Sequence, residues 1–238
     1  MAIFNSILFH RARKSVGNVT LYALKEQNVV RAKGIYRRDR KSLAQLKQRA
    51  RMKAVREVGS HFYHVLPQGF CCSSLKEGLN CFVKANVGKI FVDDELKVSY
   101  DLLKLEISGG TLMPPVLSAK LEAGENRVVF RWERQRLMPY AFGDDLLYGV
   151  VSRTEDRDGE VIPLGTRGAS GELSWDLPAG WDVCDIVVHG FVTNAKGNRA
   201  SVSVGLAVGD EVAATLAREF YFNGTPIAEQ IEGGQNAE

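Results

Sequence analysis

The residues after Lys97 form short apolar runs separated by turn residues, and this rhythm constrains the fold more than any other feature of the chain. Seven or eight such runs over about a hundred residues are typical of an antiparallel β-sandwich. Asp158-Gly159 and Gly197-Asn198 supply tight hairpin turns. The runs are KVSYDLLKLEIS, PVLSAKLEA, NRVVFRWE, LLYGVVSRT, GEVIPLG, GELSWDL, VCDIVVHGFVT and RASVSVGLAV.

The preceding residues have a different pattern, in which two extended pieces come before two helices. VGNVTLYAL and QNVVRAKGIY flank the turn-like LKEQN and predict a small hairpin. Ser42 is typical of a helix N-cap, and apolar residues then recur at spacings of three and four as far as Val58. The helix is expected to end at Gly59 or to continue toward the break at Pro67. Ser74 and Glu77 have capping-box spacing for a second helix that ends at Asn86 to Gly88.

Together these patterns predict an α+β protein with three parts. A basic N-terminal hairpin and two helices occupy residues 1–97, an antiparallel immunoglobulin- or fibronectin-like β-sandwich occupies residues 98–209, and a tail with a disordered end occupies residues 210–238. The tail contains AREFYF, an aromatic segment that could dock on a partner. The longest uncharged run, Val58 to Leu75, contains Pro67 and two glycines, so no membrane span is expected.

Positive charge is concentrated near the front of the chain. Between Arg11 and Arg56 there are 15 Lys or Arg residues against two acids, a net charge of +13, so the rest of the chain carries −10 of the total of +3. Such a division favours a polyanionic partner or head-to-tail assembly. The predicted partner-binding residues are Arg37, Arg38, Arg40, Lys41, Lys47, Arg49, Arg51, Lys53 and Arg56.

A likeness to one family runs along most of the chain. The pieces MAIFNS, KSVGNVTLY, NVVRAK and Gln45-Leu46-Lys47-Gln48-Arg49, together with the last hairpin VVHGFVTNAKGNRASVSVGLAV, resemble uncharacterised proteins of Bacteroidetes bacteria and their phages. His10, Arg11 and Ala12 stand where that family usually has glycines, and its Tyr-x-Trp pattern is absent. The resemblance implies the architecture and a bacterial or phage setting, and it carries over no catalytic residue.

Candidate chemistry in the sequence is sparse. His61 and His64 with Cys71, Cys72 and Cys81 are residue types that suit zinc, but their spacing fits core packing better. EDRDGE lacks the alternating ligands of a calcium loop, and Asp144-Asp145 is expected to be solvated. There is no nucleophile elbow, P-loop or dinucleotide fingerprint, and His189 is expected to be a satisfied histidine in a strand. These features predict neither catalysis nor a cofactor.

Three interpretations of the cations remain open: a solvated helix face, sequence-independent contact with nucleic acid, and docking between subunits. The leading hypothesis is a non-enzymatic structural protein of a phage virion, located in the virion or the cytoplasm, that forms an oligomer with itself or with sibling structural proteins. The alternative is a sequence-nonspecific nucleic-acid-binding protein. A third hypothesis is an accessory module that binds carbohydrate or protein. No membrane partner is expected.

Overall fold

The structure is a computed structural model that describes residues 2–4, 13–24, 27–34, 41–122, 126–154, 157–182 and 185–207. Contacts between residues divide the chain into two compact units, residues 1–41 and residues 42–238. The predicted helices therefore share a unit with the β strands that follow them. The predicted boundaries after residues 97 and 209 stay predictions, and the tail over 210–238 lies outside the described residues.

The first unit is a four-stranded antiparallel sheet. Its strands are Ala2–Phe4 (β1), Lys14–Val16 (β2), Val19–Leu24 (β3) and Gln27–Ala32 (β4), in the order β1-β4-β3-β2. The predicted hairpin is confirmed as β3 and β4, in which Leu21 lies opposite Val30. Gly17, with φ of 53°, occupies the tight turn from β2 to β3, where a residue without a Cβ is favoured.

The second unit begins with three helices. They are Leu43–His61 (α1), Leu66–Gly69 (α2) and Leu75–Asn86 (α3). Both predicted N-caps are confirmed, since the Ser42 amide donates to Gln45 Oε1 (3.3 Å) and Ser74 Oγ accepts from the Glu77 amide (3.3 Å). The predicted apolar stripes of α1 and α3 meet in one buried core.

Of the two predicted ends of α1, Gly59 and a continuation toward Pro67, the helix follows the second as far as His61. Gly59 is buried, and a Cβ added there would lie 2.7 Å from Leu79 Cδ1 and 2.8 Å from Phe82 Cδ1. Gly59 therefore allows α1 and α3 to approach each other closely. It is needed for helix packing, and not to end the helix.

The first run of the predicted β region is mostly not a strand. It forms the short strand Val98–Ser99 (β6), which pairs with Phe91–Val92 (β5), and then a 3-10 turn over Leu102–Lys104. The Asp101 carboxylate accepts a hydrogen bond from the Leu103 amide (3.0 Å), which turns the chain out of the extended conformation. The apolar residues of this run are buried against the helices instead of in a sheet.

The other seven predicted runs are confirmed as strands of two antiparallel sheets. The strands are Leu117–Glu122 (β7), Arg127–Trp132 (β8), Leu146–Arg153 (β9), Gly159–Thr166 (β10), Gly171–Asp176 (β11), Ile186–Thr193 (β12) and Val204–Leu206 (β13). One sheet has the order β10-β9-β12-β13, and the other has the order β11-β8-β7.

The four-stranded sheet β10-β9-β12-β13 is covered on both faces. Alternate residues of β12, such as Val187 and Phe191, belong to the core shared with the helices, whereas Val188 and Val192 belong to the core shared with the three-stranded sheet. All eight residues of β12 are buried. The second unit thus has three layers, with the helices, the four-stranded sheet and the three-stranded sheet in that order.

Three helices and many antiparallel strands in several sheets make the described chain a mixed α+β protein, as predicted. The immunoglobulin- or fibronectin-like type of its β region stays a proposal.

The two sheets approach each other closely at Gly149. A Cβ added to this residue of β9 would lie 2.7 Å from the Phe130 ring of β8. We expect Gly149→Ala to lower the free energy of unfolding by about 1–3 kcal/mol, because an overfilled core must shift its side chains. Urea denaturation followed by circular dichroism measures this loss.

Gly88→Ala is the matched control, since an added Cβ there meets no atom within 4 Å. Its effect should remain within about 0.5 kcal/mol. Equal losses in the two variants would contradict the close contact between the sheets.

Candidate partner-binding surfaces

The predicted cationic site divides into described and undescribed parts. Arg37, Arg38 and Arg40 lie outside the described residues. Lys41 is exposed and belongs to the first unit. The other five cations, Lys47, Arg49, Arg51, Lys53 and Arg56, all lie on α1.

Three of these cations share the outer side of α1. Arg49, Lys53 and Arg56 are exposed and follow one another at spacings of four and three residues, which places them on one side of the helix. We call these three residues the basic face. On the opposite side of the same helix, Val55 and Val58 are buried in the core. The basic face therefore points outward because the apolar side of α1 is held inside.

Lys47 forms an ion pair with an acid of the same chain. Its Nζ lies 2.5 Å from Asp94 Oδ1, in the turn between β5 and β6. The hydrogen bond from Lys47 lowers the pKa of the Asp94 carboxyl. The pair is exposed on the Asp94 side and links the helix to the hairpin, so Lys47 is a poor candidate for contact with a partner.

Arg51 is also less available than the sequence pattern predicts. It is half-buried, and its Nη1 donates to Gln48 Oε1 at 3.4 Å. Its Nε is buried without a hydrogen-bond partner among the described residues. The structure thus brings together three of the predicted cations on one face and turns two others toward the protein.

Beneath α1 lies a cavity of about 210 Å³ that polar residues line in part, including Glu57, His61 and Ser152. Ser152 Oγ lies 3.2 Å from Nε2 of His64, a pair that resembles a nucleophile and its base. Burial lowers the pKa of His64 to about 4, and its Nδ1 has no hydrogen-bond partner among the described residues. Ser152 lies inside β9 and is 1% exposed. The unpartnered Nδ1 means that no third group among the described residues orients the His64 ring as a catalytic base requires.

The histidines and cysteines whose residue types suit zinc lie in different places. Cys72 Sγ lies 3.8 Å from Cys81 Sγ, and burial together with this contact raises the pKa of Cys72 to about 11. His64 instead faces β9 and β10. Within the described part of the chain, no three His, Cys, Asp or Glu side chains converge on a point that could hold a metal ion.

The expectation that Asp144 and Asp145 are both solvated is wrong for Asp145. This residue is 1% exposed, accepts a hydrogen bond from the Phe142 amide (2.9 Å) and lies 3.5 Å from Nε of Arg167, which is 2% exposed. Burial lowers the pKa of the Arg167 guanidinium. A pattern of local residues cannot reveal this pair, because its two members lie 22 positions apart in the sequence.

His189 lies in the core, but the expectation that it is satisfied holds only in part, because its Nδ1 has no hydrogen-bond partner among the described residues. It is fully buried, its Nε2 donates to the Leu102 carbonyl at 3.1 Å, and burial lowers its pKa to about 4. Its ring also meets the Phe62 ring edge-on at 5.9 Å.

Sequence reasoning missed an exposed apolar surface beside the sheets. Six large apolar side chains are exposed in the two segments that precede β7 and β9, and we call them the apolar platform. They are Met113, Val116, Leu137, Met138, Tyr140 and Phe142. The sequence feature that indicates this surface is LMPYAF, an apolar run that lies between two strands and belongs to neither.

Comparison of the chain with models of protein families, with curated proteins and with solved structures finds no match. Among the described residues, no helix is both long and apolar enough to span a membrane.

The buried histidines generate a pH dependence with a definite sign. His64 and His189 have pKa values near 4 in the folded protein, below the usual 6.5, so the unfolded chain binds protons that the folded protein does not. Their contribution to stability is complete above about pH 6.5 and is lost as the pH falls toward 4. We expect His189→Gln, which retains a donor, to lose about 1–3 kcal/mol less between pH 7 and pH 4 than the natural chain does.

Urea midpoints across this pH range measure the effect. Val188→Ala serves as the control, since it removes buried apolar atoms from the same strand without a titrating group. If His189→Gln and Val188→Ala both keep the slope of the natural chain, the neutral buried His189 is contradicted.

Proposed function

We propose that this chain is a non-enzymatic structural protein of a larger assembly, a phage particle, and that it docks on its partner through the basic face of α1. The observation that carries the proposal is the exposure of Arg49, Lys53 and Arg56 on a helix whose other side is fixed in the core. Like charges at these spacings repel, at a cost of a few tenths of a kcal/mol per pair. A negatively charged partner offsets that cost.

The partner in this proposal is another copy of the chain or a sibling structural protein. The acidic remainder of the chain, with a net charge of −10, supplies the complementary surface. Lys47 and Asp94 form within one chain the type of contact that we propose between chains. The sequence resemblance to Bacteroidetes and phage proteins supports the virion setting, and the cytoplasm is where such a subunit is present before assembly.

We also propose that the β region is a sandwich of the immunoglobulin or fibronectin type. The first, second and fifth of its strands (β7, β8 and β11) form one sheet, and the other four form the second sheet. In the immunoglobulin constant type the fourth strand pairs with the fifth. Here β10 pairs with β9, the third strand, which favours the fibronectin type over the immunoglobulin constant type. Such sandwiches serve as spacers and binding modules in many assemblies, although the fold alone names no function.

The serine–histidine pair beside the cavity under α1 does not argue against a structural role. His64 there has a low pKa and an unpartnered Nδ1 among the described residues, and Ser152 is buried inside a strand. Neither residue is set up to exchange a proton with a substrate near neutral pH.

Sequence-independent binding of nucleic acid is the second candidate. Three cations in a row along one helix side can contact successive phosphates, and binding through them would weaken steeply with salt. No aromatic residue lies among the described residues of α1, so the stacking that single-strand binders use is not supported.

Charge reversal separates these functions. We expect Arg49→Glu, Lys53→Glu and Arg56→Glu together to weaken self-association at least about tenfold, equivalent to 1.4 kcal/mol, because like charges then face the acidic surface. Light scattering after size exclusion at low and high salt measures the association. The control reverses three exposed cations elsewhere, Lys76, Lys84 and Lys196, and changes the net charge equally.

A DNA gel shift of the same proteins distinguishes the second candidate. A natural chain that is monomeric and shifts DNA with a steep salt response, lost on reversal of the basic face, would replace assembly by nucleic-acid binding. If reversal of the basic face changes neither behaviour, the face is only solvated and both functions fail.

A further inference from the structure

The apolar platform exposes more apolar surface than a solvated loop normally does. Val116 is 73% exposed, Leu137 is 59% exposed and Tyr140 is 54% exposed. Exposed apolar side chains that occur singly need no explanation, but a contiguous group indicates a contact surface. Met113, Val116 and Met138 line one and the same cavity, so these side chains are neighbours in space as well as in sequence.

Hydrogen bonds hold the two segments of the platform together. The Met113 amide donates to the Tyr140 carbonyl at 2.9 Å, and Gln135 Nε2 donates to the Val116 carbonyl at 3.1 Å. Met138 and Ala141 exchange two backbone hydrogen bonds around a turn in which Tyr140 has φ of 65°. A non-glycine residue in this conformation costs free energy, which the surrounding contacts must offset. The apolar side chains are thus displayed by an ordered framework.

A cavity of about 300 Å³ opens into the platform, and a buried cation lies at its base. Arg167 lines this cavity while only 2% exposed, and its Nε has no hydrogen-bond partner among the described residues. Exposed Arg134 and Arg136 lie at the same cavity. Against these three guanidinium groups stand two carboxylates, Glu133 and Asp145. An apolar or aromatic group accompanied by a negative charge matches this combination.

The chain itself contains such a group in its C-terminal tail. Residues 208–238 include six acids and one arginine, a net charge of −5. Within them Glu219 is followed at once by Phe220, Tyr221 and Phe222. The segment therefore joins a carboxylate to three aromatic rings.

The length of the chain allows this segment to reach the platform. Leu206 at the end of β13 lies opposite Val188, whereas the platform adjoins Leu146, which lies opposite Thr193. Val188 and Thr193 are five residues apart along β12, so the end of β13 and the start of β9 are about 17 Å apart along the strand direction. The fourteen residues from Leu206 to Phe220 can span up to about 45 Å.

We propose that the apolar platform is the docking site for the chain's own tail segment Glu219–Phe222. The exposed methionines and the cavity lined by Arg167 offer a surface to the aromatic rings of this segment, and Arg134 and Arg136 offer positive charge to its carboxylate. Binding of the tail shields the platform from water, and a partner that competes for the platform must displace the tail. This inference is independent of the basic face of α1.

Photo-crosslinking of the full chain tests the contact. Tyr221 is replaced by p-benzoylphenylalanine, whose excited ketone inserts readily into the C–H bonds of a nearby methionine, and the adducts are mapped by mass spectrometry. We expect adducts on Met113 or Met138 in the monomer band. The same label in place of Ala237, at the far end of the tail, should give at least about fivefold fewer of these adducts, since a factor of five corresponds to about 1 kcal/mol of preference.

Hydrogen exchange provides a second measurement on the full chain. In the triple variant Phe220→Ser, Tyr221→Ser and Phe222→Ser, the Met138 and Ala141 amides should exchange at least about fivefold faster than in the natural chain. The control triple Val212→Ser, Leu216→Ser and Ile227→Ser removes apolar groups from the same tail and should leave these rates unchanged.

Adducts elsewhere in the chain, no adducts, or equal exchange in the two triple variants would each overturn the proposal. Adducts found only in a dimer band would also overturn it, and would assign the platform to a contact between two copies.

Discussion

The structure depends on a four-stranded sheet that is buried on both faces. β9 and β12 lie at its centre, and every residue of β12 is buried between the helices and the three-stranded sheet. A strand in this position must be apolar on both sides, and Ile186–Thr193 (IVVHGFVT) meets that requirement with few exceptions. His189 is tolerated because it is neutral and donates to the Leu102 carbonyl.

This burial determines which surfaces remain for partners. α1 contributes Ala54, Val55 and Val58 to the core. The basic face lies on the opposite side of the helix and therefore points outward. Lys47 forms an ion pair with Asp94 in the turn between β5 and β6. Arg49, Lys53 and Arg56 lie on the exposed side of the helix. The apolar platform is exposed for a different reason than the basic face. Its residues follow or precede strands of the two sheets and have no layer of the described structure to cover them.

Local signals in the sequence were sufficient where neighbouring residues determine the structure. The caps at Ser42 and Ser74 and seven of the β runs follow from residues within a few positions of one another. Local signals are not sufficient where contacts with residues distant in the sequence decide the structure. Gly59 serves the packing of α1 on α3, and Asp145 is buried because Arg167 lies beside it. The stretch after Lys97 has the composition of a strand but turns at Asp101 and buries its apolar residues under the helices.

Part of the candidate site could also be predicted from the sequence. The helical period placed Arg49, Lys53 and Arg56 on one side, and this placement holds in the structure. The same period could not reveal that Lys47 meets Asp94, since the two residues are 47 positions apart. The platform could not be predicted from LMPYAF, because whether an apolar loop is covered depends on residues that are distant in the sequence.

The central claim is that α1 and the four-stranded sheet form one cooperative structure that fixes the orientation of the basic face. Native-state hydrogen exchange tests this claim most directly, by comparing the amides of Val55 to Ser60 with those of β12. If the claim is right, the free energies of opening of the two segments agree within about 1 kcal/mol. If α1 opens at a cost several kcal/mol lower than β12, the helix is not held by the sheet and the outward display of its cations loses its physical basis.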